Sequence, residues 1–156
     1  MKNQMVKVGL IGLGRMGQNH LRVLSILKSV EIVFIFDINN EMAKGIGALY
    51  GVTVEDNLEL ALGKVDAVII TSPTVTHADY VRQVAKYVKN IFVEKPLAHS
   101  LPEADSLWKL SEKNGLNVQV GFIERFNPAV EQLKKVLDQS TKIVSVDFAR
   151  TNKIST

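Results

Sequence analysis

Short apolar runs alternate with longer amphipathic stretches along most of the chain. The runs are rich in β-branched residues, as strands are, and the stretches place apolar residues three or four positions apart, as helices do. The predicted strands are 6–11, 31–36, 52–54, 65–71, 90–93 and 117–120. The predicted helices are 16–28, 40–50, 58–62, 76–88, 100–114 and 127–138.

Several helix ends carry residues that stabilise helix termini. Ser100 precedes Pro102 and Glu103, a combination typical of a helix start, and Asn57 is in position to cap the short third helix. Thr76 and Asp79 stand in a capping-box-like relation. Gly51 and Gly115 follow the second and fifth helices, where a left-handed residue is needed.

Strands joined by helices of this length form parallel crossovers. The pattern therefore predicts an α/β fold with a doubly wound parallel sheet, a Rossmann domain spanning residues 1–140. No internal repeat or low-complexity segment interrupts it.

The end of the chain follows a different pattern. Residues 142–150 (KIVSVDFAR) alternate in polarity, which predicts a strand with one face in water. We expect residues 141–156 to begin a second, truncated α/β domain; the alternative is an extra edge strand on the first sheet. An unpaired strand edge favours pairing with another copy, so we also expect a homodimer through this segment.

Composition narrows the classes of function. The chain has 156 residues, of which 46% are hydrophobic and 22% charged, as in a globular domain. A net charge of +3 without a basic stripe argues against nucleic acid as a partner. The absence of cysteine excludes disulfides and thiolate metal sites, and no metal site is predicted. No apolar run is long enough for a membrane span or a secretory signal, so we expect a cytoplasmic protein.

A glycine-rich turn, Gly12-Leu13-Gly14-Arg15-Met16-Gly17, follows the first strand and opens the first helix. In a dinucleotide site the first glycine permits the tight turn, the second lets the backbone approach a pyrophosphate, and the third lets the helix pack on the strand. Amide groups of Arg15 and Met16 would face the phosphates, since the helix dipole favours anions there. The Arg15 side chain either adds a contact to the phosphates or stays in solvent.

Asp37 ends the second strand, twenty residues beyond Gly17. A carboxylate at this position accepts hydrogen bonds from the adenosine ribose hydroxyls and repels a 2′-phosphate. The residues after it, Ile38, Asn39 and Asn40, include no cation to receive that phosphate. The sequence therefore favours NAD over NADP; the alternative is that Asp37 only flanks a helix.

Three further motifs follow later strands: TSPTVTH at 71–77, Glu94-Lys95-Pro96, and GFIERFNP at 121–128. Ligands bind at the carboxyl ends of strands in such sheets, so all three would lie at the ligand edge. Together with the glycine turn, this ordered set resembles the glucose–fructose oxidoreductase, inositol dehydrogenase and rhizopine-catabolism (Gfo/Idh/MocA) family. The resemblance covers essentially the whole chain, and the last motif is most similar to members acting on nucleotide-linked sugars.

The resemblance implies roles for individual residues. The loop Ser72-Pro73-Thr74 would lie along the cofactor, and His77 near the nicotinamide ribose. Glu94 would accept hydrogen bonds from ribose hydroxyls, and Lys95 would contact the cofactor and polarise or deprotonate the reacting hydroxyl. The segment with Arg125 would lie on the substrate side of the nicotinamide pocket.

Other interpretations of these residues remain. Lys95 could be a solvated surface charge, and His77 a helix-terminus residue. Glu94 could pair with Lys95 or Arg125. We expect His20, His99 and Trp108 to be structural, because they lie on predicted helices or beside them.

Family members carry a second α/β domain that covers the substrate and supplies an Asp and a His for proton transfer. No His follows His99 here. The leading hypothesis is therefore a truncated oxidoreductase for a sugar, polyol or nucleotide-sugar hydroxyl, which binds NAD but turns over weakly or not at all. The alternatives are a free-standing NAD-binding sensor and an enzyme whose other half is a separate chain.

Overall fold

A computed structural model of the chain describes residues 5–139, 142–145, 147 and 149. The chain divides into two compact units, Met1–Gly121 and Phe122–Thr156. The predicted helix 127–138, which the sequence assigned to the first domain, lies in the second unit. A domain boundary at residue 140 stays a prediction.

The first unit contains a six-stranded sheet with the strand order β3-β2-β1-β4-β5-β6, and all five neighbouring pairs are parallel. The strands are β1 Val6–Ile11, β2 Val30–Phe36, β3 Thr53–Val54, β4 Ala67–Ile70, β5 Asn90–Val93 and β6 Asn117–Val120. This order is that of two βαβ halves diverging from a central pair of strands. The predicted doubly wound Rossmann fold is confirmed.

Five helices of the first unit connect these strands. They are α1 Arg15–Leu24, α2 Asn40–Tyr50, α3 Leu58–Leu62, α4 Thr74–Val84 and α5 Leu101–Asn114. Leu10 and Ile35 belong to the core on one face of the sheet, together with Leu21 of α1. Ile11 and Phe34, their neighbours in sequence, belong to a second core with residues of α3, α4 and α5. Strands covered on both faces explain the nearly continuous apolar runs.

Helix α1 ends four residues earlier than the expected end at residue 28. Ser25 terminates it, because its hydroxyl donates to the Arg22 carbonyl and the next amides bond to carbonyls only three residues back. Ile26 and Leu27, which lie within the predicted helix 16–28, are exposed in this turn.

Helix α4 covers residues 74–84 rather than the predicted 76–88. Its cap residue is Pro73, whose carbonyl accepts both the amide and the hydroxyl of Thr76. The proposed capping box between Thr76 and Asp79 is wrong, since Asp79 pairs with Arg82 instead. Proline at the cap sets the start of the helix two residues earlier than the threonine signal suggested.

The caps predicted at Asn57, Ser100, Gly51 and Gly115 are confirmed. Asn57 accepts from two first-turn amides and Ser100 from the Glu103 amide, while both glycines adopt the left-handed conformation. Glu103 reaches back to the amide of His99 rather than to that of the cap residue.

Removal of the Asn57 cap is expected to weaken the first unit measurably. Its side chain satisfies the amides of Glu59 and Leu60, at the start of a helix that buries Leu58 and Leu62. We expect Asn57→Ala to lower the free energy of unfolding by about 1 kcal/mol in urea. Asn57→Asp keeps the acceptor and should stay within about 0.5 kcal/mol of the wild type. Equal stability of both variants would contradict this role.

The second unit contains a 3-10 helix, Ile123–Phe126, and helix α6, Pro128–Gln139. Asn127 joins them, since it accepts from the Ala129 amide and donates to Glu124. Residues 142–145, 147 and 149 are exposed and adopt no strand. Residues 146, 148 and 150 of the predicted strand lie outside the described residues, so the dimer based on it stays a prediction.

In the part of the chain that the structure describes, no helix combines the length and apolarity that crossing a membrane requires.

Candidate functional site

The carboxyl ends of four neighbouring strands are level with one another. Ile11 pairs with Phe36 and with Ile70, and Val93 continues the same row. The residues that follow these strand ends therefore lie along one edge of the sheet, and they are Gly12, Asp37, Thr71 and Glu94. Backbone hydrogen bonds extend the row to Gly121, whose amide donates to the Val93 carbonyl.

A cavity of about 530 Å³ opens at this edge. Seven predicted cofactor residues line it: Gly12, Gly14, Arg15, Met16, Asp37, Ser72 and Pro73. Its size is within the range of small-molecule sites, and its position at the strand ends is where such sheets bind ligands.

The glycine turn is shaped by close backbone approaches. Gly12 has a φ of +92°, and a Cβ atom there would lie 2.5 Å from the Ser72 nitrogen. At Gly17 a Cβ would lie 2.0 Å from the Gly12 carbonyl oxygen, so helix and turn touch directly. A Cβ at Gly14 would meet no atom within 4 Å. The space above Gly14 is therefore open to a ligand, as the predicted close approach of a pyrophosphate requires.

Two side chains brace this turn from outside the glycine motif. The Thr71 hydroxyl is buried and donates to the Gly12 carbonyl oxygen at 2.7 Å, and the Gln18 amide donates to the Leu13 carbonyl oxygen at 2.9 Å. Gly14, at the start of α1, has no side chain to cap the first-turn amides. An anion can therefore satisfy them, and Arg15, exposed at the cavity, adds a positive charge.

Asp37 joins the end of β2 to the glycine turn. One carboxylate oxygen accepts the Leu13 amide at 2.6 Å, and the other accepts the Asn39 amide at 2.8 Å. Each oxygen retains capacity for a further donor, since an ionised carboxylate offers about four lone-pair sites. Asp37 is only partly buried and faces the cavity, so it can accept ligand hydroxyls while it fixes the turn.

Five cavity residues were not predicted as ligand-binding residues: Ile38, Met42, Thr71, Thr76 and Tyr80. Burial and the nearby charge of Asp37 raise the pKa of the Tyr80 hydroxyl, which keeps it a neutral donor. Its ring makes an edge contact with Phe36. The spacing of Pro73, Thr76 and Tyr80, three and four residues apart, places them on one face of α4 and is a signal that could have found them.

Four predicted cofactor residues follow β4, two in the loop and two in the first turn of α4. Ser72 and Pro73 line the cavity, whereas Thr74 and His77 do not. The His77 ring is 1% exposed, with Nδ1 and Nε2 each 2.8 Å from a backbone carbonyl oxygen, of Pro96 and Ser72 respectively. His77 thus connects the loops after β4 and β5, and its contact with a nicotinamide ribose stays a prediction.

Glu94 and Lys95 follow β5 but differ in surroundings. Glu94 is buried, and its carboxylate accepts from the His20 ring at 2.8 Å and from the Lys95 amide at 3.1 Å. The pairing of Glu94 with an imidazole on α1 was not predicted, because His20 had been assigned a structural place. Lys95 is exposed, and no ion pair of its ammonium group occurs among the described residues.

Arg125 lies in the 3-10 helix of the second unit and is exposed. Its role on the substrate side stays a prediction. Within residues 5–139, 142–145, 147 and 149, no group of three His, Cys, Asp or Glu side chains could hold a metal ion.

Comparisons with known proteins agree with this geometry. Residues 6–122 match the model of the oxidoreductase family GFO_IDH_MocA with an NAD-binding Rossmann fold. The chain is 34% identical to a scyllo-inositol 2-dehydrogenase (NAD(+)) of Bacillus subtilis over 137 residues, which cover 85% of the chain and 40% of that protein.

Solved structures of dehydrogenases are also similar to this chain. A putative myo-inositol dehydrogenase from Sinorhizobium meliloti superposes with a TM-score of 0.76 at 31% identity, covering 86% of this chain and 41% of that one. A UDP-N-acetylglucosamine 3-dehydrogenase from Acidithiobacillus ferrooxidans gives 0.77 at 28% identity, covering 85% and 43%.

The chain spans about 40% of the length of the curated relatives that it matches. The family match extends from β1 through β6 and includes the glycine turn, Asp37 and Glu94-Lys95-Pro96. This chain is an NAD-binding Rossmann domain of the Gfo/Idh/MocA oxidoreductase family.

Proposed function

We propose that this chain is the cofactor-binding half of an oxidoreductase that transfers hydride between NAD and a sugar, polyol or nucleotide-sugar hydroxyl. The observation that carries the proposal is the row of strand ends that brings the glycine turn, Asp37 and Glu94 to one sheet edge. The open space above Gly14 fits a group that approaches the backbone closely, as a pyrophosphate does.

NAD is the proposed cofactor in preference to NADP. Asp37 faces the cavity with free acceptor capacity, which suits ribose hydroxyls and disfavours a 2′-phosphate. Ile38 lies beside it, 86% exposed and without charge. Arg15 also lines the cavity and is proposed to contact the pyrophosphate.

When bound, the cofactor would supply a hydride acceptor as NAD and a hydride donor as NADH. The chain's own residues would hold and orient the reactants. Ser72 and Pro73 line the cavity proposed for the cofactor, and Glu94 would accept hydrogen bonds from ribose hydroxyls. When a carbonyl is reduced, the exposed Lys95 ammonium would donate its proton to the oxygen on which alkoxide charge develops, because a cation there stabilises that charge. In the reverse direction the neutral amine would take the proton from the hydroxyl.

The polyol or sugar class is supported by the relatives, which include inositol dehydrogenases and a nucleotide-sugar dehydrogenase. Because those proteins are more than twice as long as the matched region, we propose that residues 141–156 begin a second domain that completes the substrate pocket. The chain alone would bind NAD but turn over weakly, since half a pocket positions the substrate poorly. A nicotinamide cofactor and a chain without cysteine fit a cytoplasmic location.

Competition for bound NADH tests this function. We expect the chain to enhance NADH fluorescence, and NAD to displace NADH at a concentration at least about 30-fold lower than NADP, as one repelled phosphate would cause. NADH formation at 340 nm with inositols, glucose 6-phosphate and UDP-N-acetylglucosamine should be slow or absent. Brisk reduction by the chain alone would contradict the proposed need for a second domain.

A further inference from the structure

One carboxylate at the carboxyl edge of the sheet is held by two hydrogen bonds and lies close to a glycine. Glu94 Oε1 lies 2.8 Å from His20 Nε2, and Oε2 accepts the Lys95 amide at 3.1 Å. Gly121 leaves room for this carboxylate, since a Cβ there would lie 3.1 Å from Oε2 and from the carboxyl carbon. Two hydrogen bonds, one from α1 and one from the residue after β5, therefore hold the carboxylate beside the residue after β6.

This arrangement is poorly explained by stability alone. The Glu94 side chain is 9% exposed, and a buried carboxylate with a single imidazole partner contributes little to folding, because desolvation offsets the attraction. An apolar residue would fill the same space at lower cost. Glu94 does not line the cavity, but it follows the strand end next to that of Thr71, which does. A carboxylate kept at this edge of the sheet is better explained by a ligand group that donates a hydrogen bond to it.

His20 is the residue that connects this carboxylate to the glycine turn. It projects from α1, the helix whose first turn faces the proposed pyrophosphate position, and its ring packs edge-on against Phe92 at 5.3 Å. A carboxylate can only accept, so Nε2 is the donor in this pair. One rigid helix therefore carries both the phosphate-facing amides and the group that orients Glu94.

We propose that His20 is a positioning residue that orients the Glu94 carboxylate toward the nicotinamide-side ribose hydroxyls of bound NAD. The proposal rests on the function proposed above, in which Glu94 accepts those hydroxyls. His20 itself contacts no ligand; it prevents the carboxylate from rotating out of its acceptor position.

The test compares NAD with ADP, which lacks the nicotinamide nucleoside and contacts only the glycine-turn and Asp37 side. His20→Phe keeps an aromatic ring against Phe92 but removes the donor. We expect it to raise the Kd for NAD about tenfold, as the loss of one charge-assisted hydrogen bond does, with the Kd for ADP within about twofold of the wild type. His20→Gln returns an amide donor and should restore NAD binding to within about threefold.

A double-mutant cycle shows whether His20 acts through Glu94. In a Glu94→Gln background, His20→Phe should change the Kd for NAD by less than about twofold, because the carboxylate to be oriented is gone. Thermal unfolding of each variant confirms that it is folded, and the ADP titration confirms an intact adenosine site.

Three results would overturn the inference: an unchanged Kd for NAD in His20→Phe, an equal loss for NAD and ADP, or full additivity in the cycle. These differ from failure of the proposed function. If the wild type binds NAD no more tightly than ADP, both the proposed role of Glu94 and this inference are wrong. If His20→Phe leaves the Kd for NAD unchanged, only the inference about His20 is contradicted, and the proposed function stands.

Discussion

Gly17→Ala is expected to destroy the cofactor site and to destabilise the first unit. A methyl group at this position would lie 2.0 Å from the Gly12 carbonyl oxygen and 2.8 Å from the Thr71 hydroxyl. The Gly12 carbonyl belongs to the glycine turn and the Thr71 hydroxyl braces it, so we expect the added methyl group to displace helix α1. We expect a loss of about 3 kcal/mol in the free energy of unfolding, at the upper end of overpacking effects. The Kd for NAD should rise more than about 100-fold, measured by calorimetry beside urea denaturation.

Gly14→Ala is the matched control for stability, because its added methyl group meets no protein atom within 4 Å. Its φ of −62° is accessible to alanine, so stability should change by less than about 0.5 kcal/mol. The methyl group would occupy the space proposed for the pyrophosphate, and we expect the Kd for NAD to rise about tenfold or more. Wild-type NAD affinity in Gly14→Ala would contradict the proposed position of the phosphates.

Asp37→Asn is expected to make the Kd values for NAD and NADP nearly equal. The substitution removes the charge that repels a 2′-phosphate, while one oxygen remains to accept the Leu13 or Asn39 amide. We expect the Kd for NAD to rise about tenfold and the Kd for NADP to fall, so that the ratio of the two changes by about 30-fold or more. Fluorescence competition with both cofactors measures the ratio directly.

Asp79→Asn controls for the change in net charge. Asp79 lies on the exposed side of α4 and pairs only with Arg82 among the described residues. It does not line the cavity, and an exposed pair of this kind contributes little to stability. The same cofactor ratio in Asp37→Asn and in the wild type would show that Asp37 does not select NAD.

Local sequence signals predicted the fold well where one signal dominated. The apolar runs and the caps at Asn57 and Ser100 were sufficient, because strand burial and helix capping depend on neighbours in sequence. The predicted helix ends were wrong where two local effects competed. At Ser25 a side-chain hydrogen bond ended a helix that the apolar spacing continued, and at Pro73 a proline cap preceded the threonine signal.

The site was predictable only in part, for a physical reason. The glycine turn and Asp37 belong to a motif with fixed spacing, so the sequence placed them together. Thr71 and Gly12 are 59 positions apart, and His20 and Glu94 are 74 apart. Such pairs depend on strand order and register, which the sequence does not encode locally. The sequence therefore indicated only a structural role for His20, and its contact with Glu94 is visible only in the folded structure.

Amide chemical shifts of the ¹⁵N-labelled chain during titration with NAD test the central claim most directly. We predict saturable, one-site shifts centred on the amides of Gly12, Arg15 and Met16, where the cavity meets the start of α1. The amides of Lys7 and Gly63, beside a separate cavity at the amino ends of the strands, should stay unchanged. The absence of shifts at millimolar NAD, or shifts confined to that opposite edge, would contradict an NAD site at the glycine turn.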